Sequence, residues 1–303
     1  MAVKEKTAVN AESIQAVNTV TFKQKMLQYK NHPSSLVLLI LVILCAVITV
    51  GALLFLIAYI LVQGIPNLTP ELFSLDYTSE NASLMPALLN TVLITAISLV
   101  IAVPLGIFAA IYLVEYAKRG NKLVSMVRMT AETLSGIPSI VYGLFGMLFF
   151  VTTLGWGNSL IAGSCTLAIM ILPLIMRTTE EALNTVPDSF REGSFGLGAG
   201  KLRTVFRVIL PTAVPGILSG VILAIGRIVG ESAALIYTAG TIAQYPKDIF
   251  SSTRTLSVHM YLCTNEGLHT SQAYGTAVVL LVLVVIINAL SSFAAKKLTK
   301  KMG

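Results

Sequence analysis

Long apolar runs, four of them uncharged, alternate with polar segments along the chain. The apolar runs cover residues 36–62, 86–116, 134–153, 159–176, 213–237 and 273–294. A helix needs about 20 predominantly apolar residues to cross bilayer hydrocarbon. Each run is therefore read as one span. The pattern predicts an all-α, polytopic membrane protein with six transmembrane helices. The third run opens on Ser135-Gly136-Ile137-Pro138-Ser139. Proline removes a backbone donor, so either a tolerated kink or a bend lining a pathway is expected there. The turn at 154–158 sets the single tryptophan, Trp156, where an amphipathic ring suits a membrane interface.

The polar segments orient the spans. Residues 1–35 carry five lysines, and a surface helix around 11–30 fits their composition. The segments after spans 2 and 4 and the tail at 296–303 carry thirteen more Lys and Arg. Only Lys247 and Arg254 fall on the other side, and Arg227 lies inside a span. The positive-inside rule then places both termini and the 177–211 loop in the cytoplasm. The first apolar run is too long for a cleavable signal peptide and lacks a small-residue cleavage site.

Composition narrows the function classes. Hydrophobic residues make up 55% of the chain and charged residues 12%. The net charge of +7 sits beside apolar spans, which argues for a lipid bilayer as partner and against nucleic acid. Cys45, Cys165 and Cys263 show no disulfide or metal spacing, and His32, His259 and His269 form no ligand set. No nucleophile–base set is visible, so neither an enzyme activity nor a cofactor is expected. Gly198-Ala199-Gly200-Lys201 is not a phosphate loop. Phe195 stands where the first glycine is required and Leu202 where Ser or Thr is required.

The 177–211 loop is the longest water-compatible stretch between two clearly apolar spans. Pro187 can open a short helix, because its missing N–H costs nothing at a first helical position. Gly196, Gly198 and Gly200 allow a sharp turn. A second helix, 201–209, runs into Pro211. Within this segment Glu192-x-x-x-x-x-Gly198, nine residues, then Val208-x-Leu210-Pro211 resembles the EAA loop of ABC-importer permeases. Gly193 and Ser194 stand where that family usually has alanines, and Val208 where isoleucine is common. With Arg177-Thr178-Thr179-Glu180-Glu181 before it and Gly226-Arg227-Ile228-Val229-Gly230-Glu231 after it, the chain resembles the PstA-type permeases of phosphate importers over about residues 85–295.

The resemblance implies a permease subunit that translocates inorganic phosphate by alternating access, in a prokaryotic plasma (inner) membrane. It implies a cytoplasmic ABC ATPase dimer gripping Glu192, Gly193, Ser194, Gly198, Leu210 and Pro211. A second related permease and an extracytoplasmic phosphate-binding protein would complete the importer. Another oxyanion, sulfate or phosphonate, is the alternative cargo. A self-sufficient ion-coupled transporter is the alternative class, and it would predict a membrane acid network or broken-helix repeats.

Span 5 carries the candidate pathway. Gly216/Gly220 and Gly226/Gly230 are spaced to let helix backbones approach closely. At about 100° per residue, Gly216, Gly220, Arg227, Gly230 and Glu231 share one face of a continuous helix. A mid-span arginine costs about 3 kcal/mol on insertion scales and must face protein or water. Its planar donors suit phosphate oxygens. Glu231, one turn on, is expected to hold Arg227 until an anion competes for it, or simply to neutralise it. Arg177, at the end of span 4, either extends this positive path or is ordinary flanking charge.

Overall fold

The structure is a computed structural model that describes residues 33–302 except 119, 266 and 268. The expected surface helix at 11–30 lies outside the described residues. The chain divides into two compact units, residues 1–59 and 60–303. The first contributes most of helix α1 (Pro33–Gly64), which is apolar and exposed along nearly all its length. Such a surface suits lipid, because every backbone polar group is satisfied within the helix.

The second unit is a helical bundle. Helix α2 (Met85–Ile111) widens into a π turn at Tyr112–Tyr116. Helix α3 (Lys122–Ser135) is followed by α4 (Ser139–Gly146), which continues as a π helix through Thr153. Helix α5 (Leu160–Asn184) precedes the short α6 (Asp188–Gly196). Helix α7 (Lys201–Thr204) passes through a π turn at Val205–Ile209 into α8 (Leu210–Val229). Helices α9 (Ala233–Thr238), α10 (Leu256–Asn265) and α11 (Thr270–Met302) complete the chain. Among the described residues five stretches are long and apolar enough to span a membrane, or six if the bent α3–α4 pair counts as one broken span.

Helix α5 is the centre of the unit. Its Leu167, Met170, Ile171 and Ile175 pack in one core with Ile94 of α2, Ala224 and Ile228 of α8, and Leu235 of α9. Small residues let the neighbours come close. A Cβ on Gly106 would stand 2.8 Å from Ile175, and one on Gly216 would stand 2.6 Å from Ala182. Gly220 abuts Thr178 in the same way. The first small-residue pair of span 5 thus seats α8 against α5. Gly226 meets nothing within 4 Å, so the second pair does not.

Three expectations change. Span 3 does not begin at residue 134: Gly136-Ile137-Pro138 separates two helices bent by 104°. Pro138, the residue before α4, does not continue α3, so of the two expectations the break is a bend and not a tolerated kink. The remaining stretch, Ser139–Thr153, rises only about 22 Å at 1.5 Å per residue, short of the roughly 30 Å hydrocarbon layer. Helix α9 packs beside it: a Cβ on Gly143 would stand 2.8 Å from Ala234 Cα.

Span 5 is not one helix from 213 to 237. It starts earlier, at Lys201, because the π turn lets Pro211 sit inside a continuing helix. It ends at Val229, where Gly230 caps it and donates to Gly226 and Ile228 carbonyls. Finally, the first eight residues of the 177–211 loop belong to a spanning helix, since α5 runs on to Asn184. Trp156 stacks on Phe150 at 5.3 Å between ring centroids and meets Phe250 edge-on at 6.1 Å.

Candidate functional site

The interruption of span 5 reshapes the expected charge pair. Arg227 occupies the last turn of α8, where the helix dipole is negative and favours a cation. Glu231 lies beyond the break and belongs to α9: its Oε1 accepts from Ala234 N–H at 3.1 Å. A carboxylate at a helix start is favourable for the same reason. Each charge is thus matched by the end of its own helix. No ion pair joins Arg227 to Glu231 among the described residues. The helical wheel that puts both on one face fails at Val229, because the helix stops there.

Arg227 is half-buried and lines a cavity of about 610 Å³. Arg128, Arg177, Glu132, Glu180 and Glu181 line the same cavity. Two of its three arginines are neutralised: Arg128 by Glu180, and Arg177 by Glu181 at 3.1 Å, one turn along α5. Arg227 has no described hydrogen bond or ion pair. So the structure brings Arg177 and Arg227 into one cavity, adds Arg128, which sequence reasoning passes over, and leaves Glu231 turned toward α9. A second groove, lined by Leu174, Ser219 and Asn288 among others, reaches Arg227 from another side.

The EAA-like segment forms a separate site. Helix α6 buries none of its residues. Glu192 and Gly193 are exposed, and Gly193 has room for the alanine the family usually has, with nothing within 4 Å of its Cβ position. Ser194 shares a hydrogen bond with Thr204 at 2.8 Å, tying α6 to α7. Gly198 has φ +81°, the left-handed region, so the turn there calls for glycine. Leu210 and Pro211 are half-buried at the start of α8.

What holds α6 in place is its own Arg191. Its Nη2 donates to Glu115 Oε1 at 2.7 Å and to Leu183 O at 3.1 Å; Nε reaches the same carboxylate at 3.1 Å. Nη1 donates to Val186 O at 2.8 Å and to Asp188 Oδ1 at 3.1 Å. A fork of fixed donors is well suited to such a joint. Beside it, Lys201 Nζ stands 5.1 Å from the centroid of the Tyr116 ring. Both ties land on the π turn that ends α2. The sequence hint was a lone acid, Glu115, just before a basic segment.

Among the described residues no group of three His, Cys, Asp or Glu side chains is arranged to hold a metal. What remains is a bundle with a cavity lined by three arginines and three glutamates, and an exposed helix on the outside. Together with the apolar spans, that combination fits a membrane permease. The family described as "Binding-protein-dependent transport system inner membrane component" matches residues 102–303, and the chain belongs to it. It is an inner-membrane permease subunit of an ABC importer.

Among its relatives is the probable ABC transporter permease protein YqgI of Bacillus subtilis, 34% identical over 86% of this chain and 94% of that protein. The phosphate transport system permease protein PstA 1 of Mycobacterium tuberculosis is 36% identical over 67% of each chain. PstA of Pasteurella multocida is 38% identical over 59% of this chain and 64% of its own. A solved bacterial alginate ABC transporter in complex with its periplasmic protein shares the fold, with a TM-score of 0.66 at 14% identity over 90% and 98% of the two chains. A methionine ABC transporter in inward-facing form gives 0.56 at 22% identity over 71% and 94%.

Proposed function

We propose that the subunit imports inorganic phosphate by alternating access, with Arg227 in the anion path and Glu192 as a contact for a separate ATPase dimer. The observation that carries the substrate reading is Arg227, a half-buried guanidinium with no described hydrogen bond or ion pair, in a cavity where Arg128 and Arg177 already have carboxylates and Glu132 is the remaining acid. An arginine cannot shed its proton, so it awaits an acceptor there. The 36% and 38% identity to phosphate permeases supports phosphate over other oxyanions. Arg177 widens the positive lining. Glu231 contributes by fixing the start of α9 behind Arg227 rather than by gripping it.

The exposed, unpartnered Glu192 and the clear space over Gly193 support docking of a partner on α6. In this reading both termini and α6 face the cytoplasm, where ATP is. A second related permease completes the path, and an extracytoplasmic binding protein delivers the anion. The test is ATP-dependent uptake of labelled phosphate into vesicles holding the assembled importer, with Arg227→Gln alongside and sulfate as competitor. Uptake that sulfate leaves intact and the variant lacks is expected. Equal uptake by the variant removes Arg227 from the path. No phosphate uptake by an assembled, ATP-hydrolysing importer overturns the cargo.

A further inference from the structure

Among the described residues of the second unit, one cation is buried without a carboxylate. Arg254 is 6% exposed, and its Nε and Nη2 have no hydrogen-bond partner. Glu71, Asp76 and Glu80 stand in the 65–84 segment beside it, yet none pairs with it among the described residues. The Tyr77 ring lies over it, 4.8 Å from the guanidinium carbon to the centroid. A buried charge left without acceptors is strongly unfavourable, and arginine cannot escape by losing its proton. A ring face offsets part of that and supplies no acceptor.

The surroundings are polar in an orderly way. Arg254 lies two residues before the ten-residue helix α10, whose starting dipole favours an anion. The Asn90 amide fixes the local backbone, donating to Gln244 O at 3.0 Å and Arg254 O at 3.2 Å. Thr91 accepts from Leu256 N–H at 2.8 Å. Thr255 and Ser257 share a hydrogen bond at 3.1 Å, and Ser257 Oγ donates to the carbonyl of Glu231. That carbonyl lies in the break that follows Val229, four residues past Arg227. A short polar string therefore ties the residues next to Arg254 to the break that ends the Arg227 helix.

We propose that Arg254 is a second anion-binding residue of the path, taking a tetrahedral oxyanion on the binding-protein side before Arg227 does, with Tyr77 as its removable cover. This rests on the anion-importer reading above. In the form described here the cover is down and the guanidinium is closed off. Lys247, the other basic residue of this side, is exposed and offers no enclosed site.

The test uses the assembled importer with its binding protein. Arg254→Gln is expected to raise the KM for phosphate about tenfold, the scale of losing hydrogen bonds from a charged donor, while ATP hydrolysis persists. Arg254→Lys should retain part of the affinity. An unchanged KM in the Gln variant overturns the proposal. Because a buried arginine variant can fail to assemble, the second measurement needs none. Wild-type importer is treated with phenylglyoxal, and Arg254 modification is read by peptide mass spectrometry with and without phosphate, sulfate or chloride. Modification during turnover that an oxyanion blocks and chloride does not is expected. An Arg254 that stays unmodified in every nucleotide state, or is modified regardless of anion, overturns the proposal. A wild-type importer that carries no phosphate, with Arg254 still protected by sulfate, would sink the cargo assignment alone.

Discussion

Arg191 and Glu115 meet at 2.7 Å although 76 residues of chain separate them. Their side chains are only 16% and 8% exposed, and the arginine satisfies its remaining donors on the carbonyls that end α5 and on Asp188. Helix α6 has no buried residues of its own, so this joint fixes it to α2 and α5. A push on α6 therefore reaches the π turn of α2, and not only the helices next to it in sequence.

The first prediction follows from that joint. Removing one partner of a buried ion pair costs about 3–5 kcal/mol, because the other charge is left unpaired. Glu115→Gln should lower the melting temperature of the purified subunit and reduce transport per ATP hydrolysed. Exchanging the pair, Glu115→Arg with Arg191→Glu, should recover more stability than either single variant has. Differential scanning fluorimetry with uptake and ATPase assays reads both effects. Additive losses in the double variant would show that the two residues do not act as a unit.

The sequence made the spans legible because apolar length is a strong signal, and 36–62 and 86–116 agree closely with α1 and with α2 plus its π turn. It was weaker wherever a helix stops for local reasons. Gly136-Ile137-Pro138 turns the chain by 104°, and Gly230 ends α8 within an apolar run. Hydropathy does not register a helix end inside a run such as 213–237, and α3 is amphipathic, with Lys122, Arg128 and Glu132, so it does not stand out as part of a span. The site suffered for the same reason. Arg227 was legible as a charge in a span, but its separation from Glu231 depends on a helix end. The roles of Arg191 and Arg128 were not legible, because their carboxylates, Glu115 and Glu180, come from distant helices.

The packing of α8 on α5 gives a second prediction. Gly220 abuts Thr178, a β-branched side chain held by hydrogen bonds to Leu174 O at 2.9 Å and Ile175 O at 3.2 Å. It has little freedom to yield. Gly220→Val should destabilise the subunit by about 1–3 kcal/mol, as overpacking does. Gly226→Ala, six residues on, meets nothing within 4 Å and should be tolerated. Thermal unfolding of both variants checks the contrast, and equal losses would mean that the close approach lies elsewhere.

The exposed face of α6 separates docking from folding. Gly193→Ala fills open space and replaces glycine inside a helix, so it should stabilise by about 0.5–1 kcal/mol without loss of transport. Glu192→Lys should leave the melting temperature unchanged, because Glu192 has no described partner to lose. It should abolish ATP-driven uptake by reversing the charge offered to the ATPase. Normal uptake by that variant would take Glu192 out of the coupling surface.

His259 supplies a pH prediction of definite sign. It is fully buried in α10, and burial, with the Arg254 charge behind it, lowers its pKa from the usual 6.5 to about 3. The unfolded chain binds this proton below about pH 6.5, while the folded chain refuses it until near pH 3. Stability should therefore be level above pH 6.5 and fall steadily as pH drops toward 3. His259→Gln, which cannot be protonated, should flatten that fall while lowering stability at pH 7.5 through imperfect packing. Melting temperatures of both proteins from pH 4 to 8 measure the difference. Parallel curves would mean that His259 takes up its proton alike in both states. Transport between pH 7 and 8 should carry no signature of His259, since the ring is neutral throughout that range.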